Sequence, residues 1–342
     1  MARAVELASL TRTHPNPRVG AVVVDPDGEV VGEGAHPGPG GPHAEMVALA
    51  QAGERARGGT LYVTLEPCNH HGRTPPCVDA LLGAGILRVV AAVEDPDPRT
   101  AGSGFGRLRA MGVKVTEGVM AEDVLRLDPA YFHHRNGGMP LVTWKYAMTL
   151  DGSVAAADST SKWVTSATAR DDAHQLRAEK DAVVVGAGTI RADDPLLTVR
   201  LDDYRGPQPV AVVVAGVSEL PHAAVIWERA PVVVSTLERP IPSGSLVVVD
   251  GQAGRPDPVA TCRALADLGH IDLLLEAGPT LAGEWWRAGV VQRGVVYLGA
   301  RIGGGEGRGP LGGVFANIGD ADVVSVNGVR SLGGDVRVDF ER

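Results

Sequence analysis

A chain of 342 residues is about the length of two domains, and 44% hydrophobic with 21% charged residues is the composition of an ordinary globular protein with a sizeable core. The formal net charge of −9, without a lysine or arginine run, argues against nucleic-acid binding, because that affinity comes mostly from neutralising phosphates. No apolar run approaches the roughly 20 residues that a membrane span needs. Met1-Ala2-Arg3-Ala4-Val5-Glu6-Leu7 lacks the charged-then-apolar order of a signal peptide, so the expected location is cytoplasmic.

Residues 19–24 and 30–33 are β-rich runs joined by Asp25-Pro26-Asp27-Gly28, a turn sequence, which predicts a hairpin. Alanine, methionine and leucine then recur at helical spacing over 44–52. Residues 61–65 read as a strand, 78–82 as a helix and 89–93 as a buried strand. A short helix over 107–111 leads into a strand at 113–115. This order predicts a sheet covered by helices on both faces.

Within that order His43 and Cys77 each fall at a helix N-terminus, Cys77 just after Pro75-Pro76, while Cys68 follows a strand. One imidazole and two thiolates are three ligands, whereas a structural zinc site normally closes with four. A water can take the fourth place and ionise near neutral pH. Glu45, two residues beyond His43, is the natural proton carrier. The helix N-terminus is expected to lower the thiol pKa of Cys77. Taken singly, His-x-Glu is commonly a surface helix start and two cysteines are commonly small core hydrophobes; their combination at these places points to a catalytic zinc.

The arrangement resembles the zinc-dependent nucleobase deaminases, in which the glutamate is a general acid/base and not a ligand. The cysteine spacing is more particular. Cys68-Asn69-His70-His71-Gly72-Arg73-Thr74-Pro75-Pro76-Cys77 puts eight residues between the thiols, and with Pro15-Asn16-Pro17-Arg18-Val19-Gly20 it resembles the riboflavin-pathway deaminase/reductase family. The resemblance implies that Asn16, His36, His70, Arg73 and Asp95 lie around a pyrimidine or its ribose phosphate. Where relatives often carry lysine this chain has Arg73, a planar fork suited to phosphate. Asn16 by itself reads equally as turn chemistry, and His71 equally as a solvated loop residue.

The pattern breaks around Arg135-Asn136-Gly137-Gly138, which places a domain boundary there: 1–138 and 139–342. Residues 141–144 predict a strand, and Thr165 or Ser166 can cap a helix running through Ala169, Ala173 and Leu176. Buried strands over 182–185 and 271–275 each lead into a glycine loop, Gly186-Ala187-Gly188-Thr189 and Glu276-Ala277-Gly278-Pro279-Thr280, the second followed by a helix over 281–287. Such loops let backbone N–H groups approach an anion, although tight strand exits explain a single one. Cys262 lies in an apolar helical pattern with Leu265 and Leu268 and is expected in the core. No disulfide framework is implied.

Lys145…Asp151-Gly152, Ser161-x-Trp163-x-Thr165, His174-x-x-Arg177, Asp193-Asp194-Pro195-x-Leu197-x-x-Arg200 and Glu276-x-Gly278 together resemble the reductase half of the same family. The fold class expected is therefore α/β in two domains, a cytidine-deaminase-like αβα domain and a dihydrofolate-reductase-like α/β domain. The resemblance implies that Ala147, Trp163, Thr189, Asp193 and a loop of Gly278, Pro279, Thr280, Leu281, Ala282, Gly283 and Glu284 face NADPH. It places Lys145, Ser161, Arg177, Leu197, Arg200 and Glu276 towards the substrate. Two arginines suit a ribose phosphate on physical grounds as well.

This chain has Gln292-Arg293 and Gly299-Ala300 where relatives show an acidic pair and a proline, so the fold edge there is expected to differ. The glycine-rich segment 303–309 reads as a mobile loop.

The resulting expectation is a bifunctional, zinc- and NADPH-dependent enzyme that deaminates a phosphoribosyl diaminopyrimidinone and then reduces its ribosyl side chain to ribityl. Asp193, Lys145 and Glu276 are equal candidates for proton donor in the second step. The implied partner is that small molecule, without nucleic acid or membrane, in a homo-oligomer formed through the reductase half. The alternatives are a deaminase with an impaired reductase half, a nucleotide-binding regulatory module with structural zinc, and a nucleic-acid base deaminase; the last explains neither the second domain nor the acidic charge.

Overall fold

The chain begins with a helix not expected from its sequence, α1 (Ala2–Ser9), whose buried face is only Ala4 and Ala8. Two alanines one turn apart are too weak a hydrophobic signal to stand out. The hairpin then forms as β1 (Gly20–Val24) antiparallel to β2 (Val30–Ala35), and α2 (Ala44–Ala52) lies directly on it. A Cβ at Gly32 would sit 2.1 Å from the Ala48 carbonyl oxygen, so glycine is what permits that approach.

The computed structural model describes residues 1–71, 75–304, 307–312 and 317–342, which divide into two units, Met1–Gly138 and Met139–Arg342. Arg73 lies outside the described residues, as do Gly305 and Glu306 of the glycine-rich segment. The first unit continues with β3 (Thr60–Leu65), α3 (Cys77–Gly83), β4 (Arg88–Val93), α4 (Ser103–Ala110), β5 (Lys114–Thr116), α5 (Ala121–Leu127) and α6 (Pro129–Gly137). Its five-stranded sheet has the order β2-β1-β3-β4-β5, with β3, β4 and β5 parallel. The helix expected over 107–111 starts earlier, and neither α5 nor α6 was expected.

The second unit opens with β6 (Leu141–Thr149), which runs five residues beyond the expected end at 144, followed by α7 (Ala167–Ala178). Of the two candidate caps Ser166 is the one used, its Oγ accepting from the Ala169 N–H. Next come β7 (Ala182–Gly186), α8 (Ala187–Asp193), β8 (Val210–Val214), β9 (Val232–Ser235), β10 (Ser245–Val248) and the small pair β11 (Gly251–Gln252) and β12 (Arg255–Pro256). The chain closes with α9 (Pro258–Asp267), β13 (Asp272–Leu275), α10 (Pro279–Arg287), β14 (Arg293–Gly299), β15 (Ser325–Leu332) and β16 (Asp335–Glu341).

A nine-stranded sheet of order β10-β9-β8-β7-β13-β6-β14-β16-β15 organises this unit, parallel from β10 to β14 and antiparallel beyond. Each face carries its own core. Leu273 and Leu275 join Trp144 and Trp285 on one, while Leu274 joins Val183 and Tyr297 on the other, as the two-residue period of a strand requires.

Three expectations need correction. The Gln292-Arg293 stretch is not at an edge: β14 is paired with β6 on one side and β16 on the other, and β15 is the edge strand. Gly186-Ala187-Gly188-Thr189 and Gly278 to Glu284 are not loops, because α8 and α10 begin immediately after their glycine N-caps, Gly186 and Gly278. Cys262 and Leu265 are buried on α9, but Leu268 lies past the last helical turn and is 50% exposed.

Candidate active sites

In the first unit, His43 is the N-cap of α2, Cys68 follows β3 and Cys77 is the first residue of α3. The close docking of α2 on the hairpin brings them together. The His43 Nδ1 lies 3.2 Å from the Cys77 Sγ and 3.5 Å from the Cys68 Sγ, and the three donor atoms lie within 4.8 Å of one another. Both thiols are free of disulfides and buried. One nitrogen and two sulfurs at this separation, all turned inward, fit a zinc ion by donor chemistry. With Nδ1 facing the sulfurs, the His43 ring proton belongs on Nε2.

The start of α3 acts on the neighbouring sulfur: the Cys77 main-chain N–H donates to the Cys68 Sγ at 3.3 Å. Hydrogen bonding from the Cys77 thiol and from His43 pulls Cys68 down to about 4, whereas Cys77, facing that thiolate and buried, is held far above the ordinary thiol range. Glu45 is 3% exposed. Burial, reinforced by Cys68, pushes its carboxyl up to about 7, which suits a group that must both take and give a proton.

A cavity of about 140 Å³ opens beside Glu45 and is lined by Asn16, His36, His70 and Asp95. The His36 Nδ1–H donates to the Pro42 carbonyl at 3.0 Å, leaving Nε2 to accept from the Asn16 amide at 3.0 Å. Burial lowers the His36 pKa and keeps this neutral tautomer. His70 meets the Thr100 hydroxyl through Nδ1 at 3.2 Å, and His71 is exposed. Asp95 accepts from the Tyr131 hydroxyl at 2.8 Å and the Asp97 N–H at 3.0 Å on one oxygen, while burial raises its pKa.

Several groups in this wall were not expected. Glu66 is buried and accepts from the N–H groups of Gly102, Gly104 and Phe105, tying the segment after β4 to the end of β3. Asp97 is paired with Arg99, which holds it at about 2, and Tyr131 and Arg135 reach the cavity from α6. None of these carried a signal: Glu66 lies just past β3, and Asp97, Tyr131 and Arg135 reach the cavity by the path of the chain from the end of β4 into α6.

In the second unit, Lys145 on β6 and Arg177 on α7 converge on Glu276, the residue after β13. Arg177 is bidentate, Nε to Oε1 at 2.9 Å and Nη2 to Oε2 at 3.0 Å, and the Lys145 Nζ lies 3.4 Å from Oε2. Burial opposes ionisation of Glu276, but Lys145 and Arg177 outweigh it and hold the carboxyl at about 2. These residues sit at the carboxyl end of the parallel strands, where open α/β sheets place ligands.

A cavity of about 560 Å³ there is lined by Ala147, Ser161, Trp163, Thr189, Asp193, Leu197 and Arg200 together with the Lys145–Arg177–Glu276 cluster. Leu197 is buried yet has φ of 54°, a left-handed backbone that costs a leucine about 1–2 kcal/mol and is sustained by its surroundings. Asp193 pairs with Lys162 at 3.1 Å, and the Arg170 guanidinium lies 4.4 Å over the exposed Trp163 ring.

The two arginines differ. Arg177 is committed to Glu276 and, through Nη1, to the Thr198 carbonyl at 2.6 Å, whereas the Arg200 side chain has no hydrogen bond or ion pair among the described residues. His174, named in the reductase resemblance but given no role, accepts the Arg200 N–H on Nδ1 at 3.4 Å; burial, then Arg177 and Arg200, push it down to about 4, so the neutral ring carries its proton on Nε2.

A separate cavity of about 370 Å³ lies against Gly186, Gly188, Arg191 and Ser218. Of the segment expected to face the dinucleotide, Thr280, Leu281 and Glu284 line it. Ala282 and Gly283 are buried, because a helix turns only part of its circumference to a ligand, and Gly278 and Pro279 are not in its wall.

Residues 1–93 match the cytidine and deoxycytidylate deaminase zinc-binding region, and residues 140–328 match the RibD C-terminal domain. The fold and the sites thus define a two-domain α/β enzyme, a zinc-binding, cytidine-deaminase-like domain joined to an NADPH-dependent reductase domain.

The chain is 38% identical to the riboflavin biosynthesis protein RibD of Escherichia coli strain K12 over 98% of its own length and 96% of that protein. It is 45% identical to RibD of Mycobacterium tuberculosis strain H37Rv over 86% of its length and 81% of that protein. The solved structure of Acinetobacter baumannii RibD superposes with a TM-score of 0.91 at 34% identity, covering 99% of this chain and 97% of that one. A Thermotoga maritima structure, described as a diaminohydroxyphosphoribosylaminopyrimidine deaminase/5-amino-6-(5-phosphoribosylamino)uracil reductase, superposes with a TM-score of 0.88 at 34% identity, covering 100% and 97%. The chain belongs to the RibD family of bifunctional riboflavin biosynthesis enzymes. No helix among the described residues is long and apolar enough to cross a membrane.

Proposed function

We propose that the first domain, 1–138, hydrolytically deaminates 2,5-diamino-6-ribosylamino-4(3H)-pyrimidinone 5′-phosphate and that the second, 139–342, reduces the ribosyl side chain of the product to ribityl. The observation that carries the first step is Glu45, buried in the cavity wall beside the His43, Cys68 and Cys77 donors. His43, Cys68 and Cys77 would hold a zinc, which would supply Lewis-acid activation of a water near neutral pH. Glu45 takes one water proton to the ring nitrogen and then carries the second, from the added hydroxyl, to the departing amine; the water oxygen ends on the ring carbon and ammonia leaves. Asn16, His36, His70 and Asp95 orient the pyrimidine, and Arg73 is assigned to the phosphate on the family resemblance.

For the second step, Ala147, Trp163, Thr189, Asp193 and the Thr280, Leu281 and Glu284 face of α10 would hold NADPH, which would supply a hydride for the sugar C1′. Lys145, Ser161, Arg177, Leu197, Arg200 and Glu276 bind the substrate. Glu276 stays ionised between Arg177 and Lys145 and therefore has no proton to give near neutral pH. Asp193 is paired with Lys162 and half exposed. Lys145 is left as the donor to the ring oxygen that becomes the ribityl hydroxyl. Arg200 binds the phosphate.

An impaired reductase is disfavoured by the seating of the altered stretch. The Gln292 Oε1 accepts the Val142 N–H at 3.0 Å, and Arg293 pairs with Glu341 at 2.9 Å. The reading also takes the protein to be cytoplasmic and a homo-oligomer through the second domain. Incubating zinc-loaded protein with the diaminopyrimidinone and following ammonia release, then adding NADPH and following its absorbance, tests both steps; ammonia without NADPH oxidation would refute the reductase assignment.

A further inference from the structure

The deaminase zinc-binding match ends at residue 93, yet the cavity beside Glu45 is walled in part by Asp95 and Tyr131, which come later, and by Asn16, which comes first. These two walls belong to distant stretches of chain. One carboxylate that does not line the cavity joins them. Asp128 is 3% exposed, and its Oδ1 accepts from the His14 Nε2 at 2.8 Å while its Oδ2 accepts from the Arg18 N–H at 2.9 Å.

Those two contacts clamp both ends of the turn that carries Asn16. The turn is closed within by the Asn16 N–H on the Thr13 carbonyl and the Thr13 hydroxyl on the Asn16 carbonyl, both at 2.9 Å. From it the Asn16 amide reaches His36. Asp128 is also the N-cap of α6, accepting from the Tyr131 N–H at 3.4 Å, and the Tyr131 hydroxyl in turn holds Asp95. A continuous path of hydrogen bonds and short covalent links thus runs from His36 through Asn16, Asp128 and Tyr131 to Asp95.

We infer that Asp128 is a positioning residue for deamination, setting the Asn16 wall of the pyrimidine pocket against the Asp95 wall. A cap alone requires one acceptor, and any of several small polar residues supplies it. Asp128 makes two further bonds, both to the Asn16 turn, and an error of about 1 Å in a binding wall is enough to cost large factors in kcat/KM. This inference rests on the deamination reading above.

The test uses the full-length, zinc-loaded chain. Asp128→Ser keeps a cap but is too short to reach His14 and Arg18. It should raise the KM for the diaminopyrimidinone about 10-fold, with a much smaller change in kcat, while zinc content and NADPH oxidation with the deaminated pyrimidine stay at wild-type values. Asp128→Ser combined with Asn16→Ala should be no worse than the worse single variant, because both act through one wall. His14→Leu should reproduce the KM rise with the cap intact, and His14→Gln, which retains a donor, should restore most of it.

An unmoved KM in Asp128→Ser, fully additive effects with Asn16→Ala, or parallel losses of zinc and reductase turnover would overturn the inference. Should the serine variant fail to fold, the His14 pair decides: equal KM values for His14→Leu and wild type would overturn it. A wild-type chain that released no ammonia would refute the deamination reading and this inference with it. Wild-type release with unmoved variants would refute this inference alone.

Discussion

The main-chain N–H of Cys77 points at the Sγ of Cys68, 3.3 Å away. The first turn of α3 therefore does two things at once, offering its own thiol as a donor and stabilising the neighbouring thiolate. Loss of either sulfur leaves two donors, too few to hold the ion firmly. Cys68→Ser and Cys77→Ser should each abolish stoichiometric zinc, measured by metal analysis, and ammonia release with it. NADPH oxidation with the deaminated pyrimidine should persist, because its cavity is built wholly from the second unit. Retention of full zinc by either variant would refute the ligand assignment.

Glu45 touches the same centre but is proposed as a proton carrier. Glu45→Gln should keep zinc at the wild-type ratio and lower the ammonia-release kcat by roughly 10²–10⁴-fold, the usual weight of one general acid/base. Turnover near the wild-type rate would show that another group moves the proton.

Glu276 gives a pH prediction with a definite sign. Its pKa is lowered from 4.5 to about 2 in the folded chain, so the native state binds fewer protons than the unfolded one in that range. The stabilisation is complete above the ordinary carboxylate pKa and is lost as pH falls towards 2. With its side chain 14% exposed, it amounts to about 3 kcal/mol. Urea unfolding between pH 3 and 7 should therefore show a steeper acid loss for wild type than for Glu276→Gln; identical slopes would mean that the carboxyl titrates alike in both states.

Arg200 is expected to matter only in the second cavity. One charge-assisted contact to a phosphate is worth about 1.5–3 kcal/mol, so Arg200→Ala should raise the reductase KM roughly 10- to 100-fold. The deaminase KM should not move. Equal losses in both half-reactions would indicate a folding defect instead.

Cys262 is wholly buried on α9, and burial pushes its thiol up to about 12. A hydroxyl there has to be desolvated, so Cys262→Ser should lower stability by about 1–3 kcal/mol while zinc content and both activities remain. Loss of zinc from this variant would contradict the core assignment.

The sequence by itself determined the chemistry and most of the element order of the first unit, whereas in the second it showed only three strands of the nine-stranded sheet. His43, Glu45, Cys68 and Cys77 were legible because a metal needs particular donor atoms, which few residue types supply, and because capping and strand patterns placed them at element ends. The hairpin, α2, β3, α3 and β4 were legible because their apolar residues repeat with the period of a helix or a strand. Helices α1, α5 and α6 were not, since the buried positions of each are few and small or partly polar.

Only the tertiary structure decided which groups share a cavity and in what charge state. The N-termini of α8 and α10 read as loops because glycine N-caps and glycine turns look alike along a chain. Likewise, Arg177 and Arg200 are equivalent as residue types, and what separates them is that Glu276 occupies one and not the other. Asp128 carries a local signal only as a helix cap ahead of Pro129. Its hold on His14 and Arg18 comes from contacts across more than a hundred residues of chain, which close packing creates and no sequence period records.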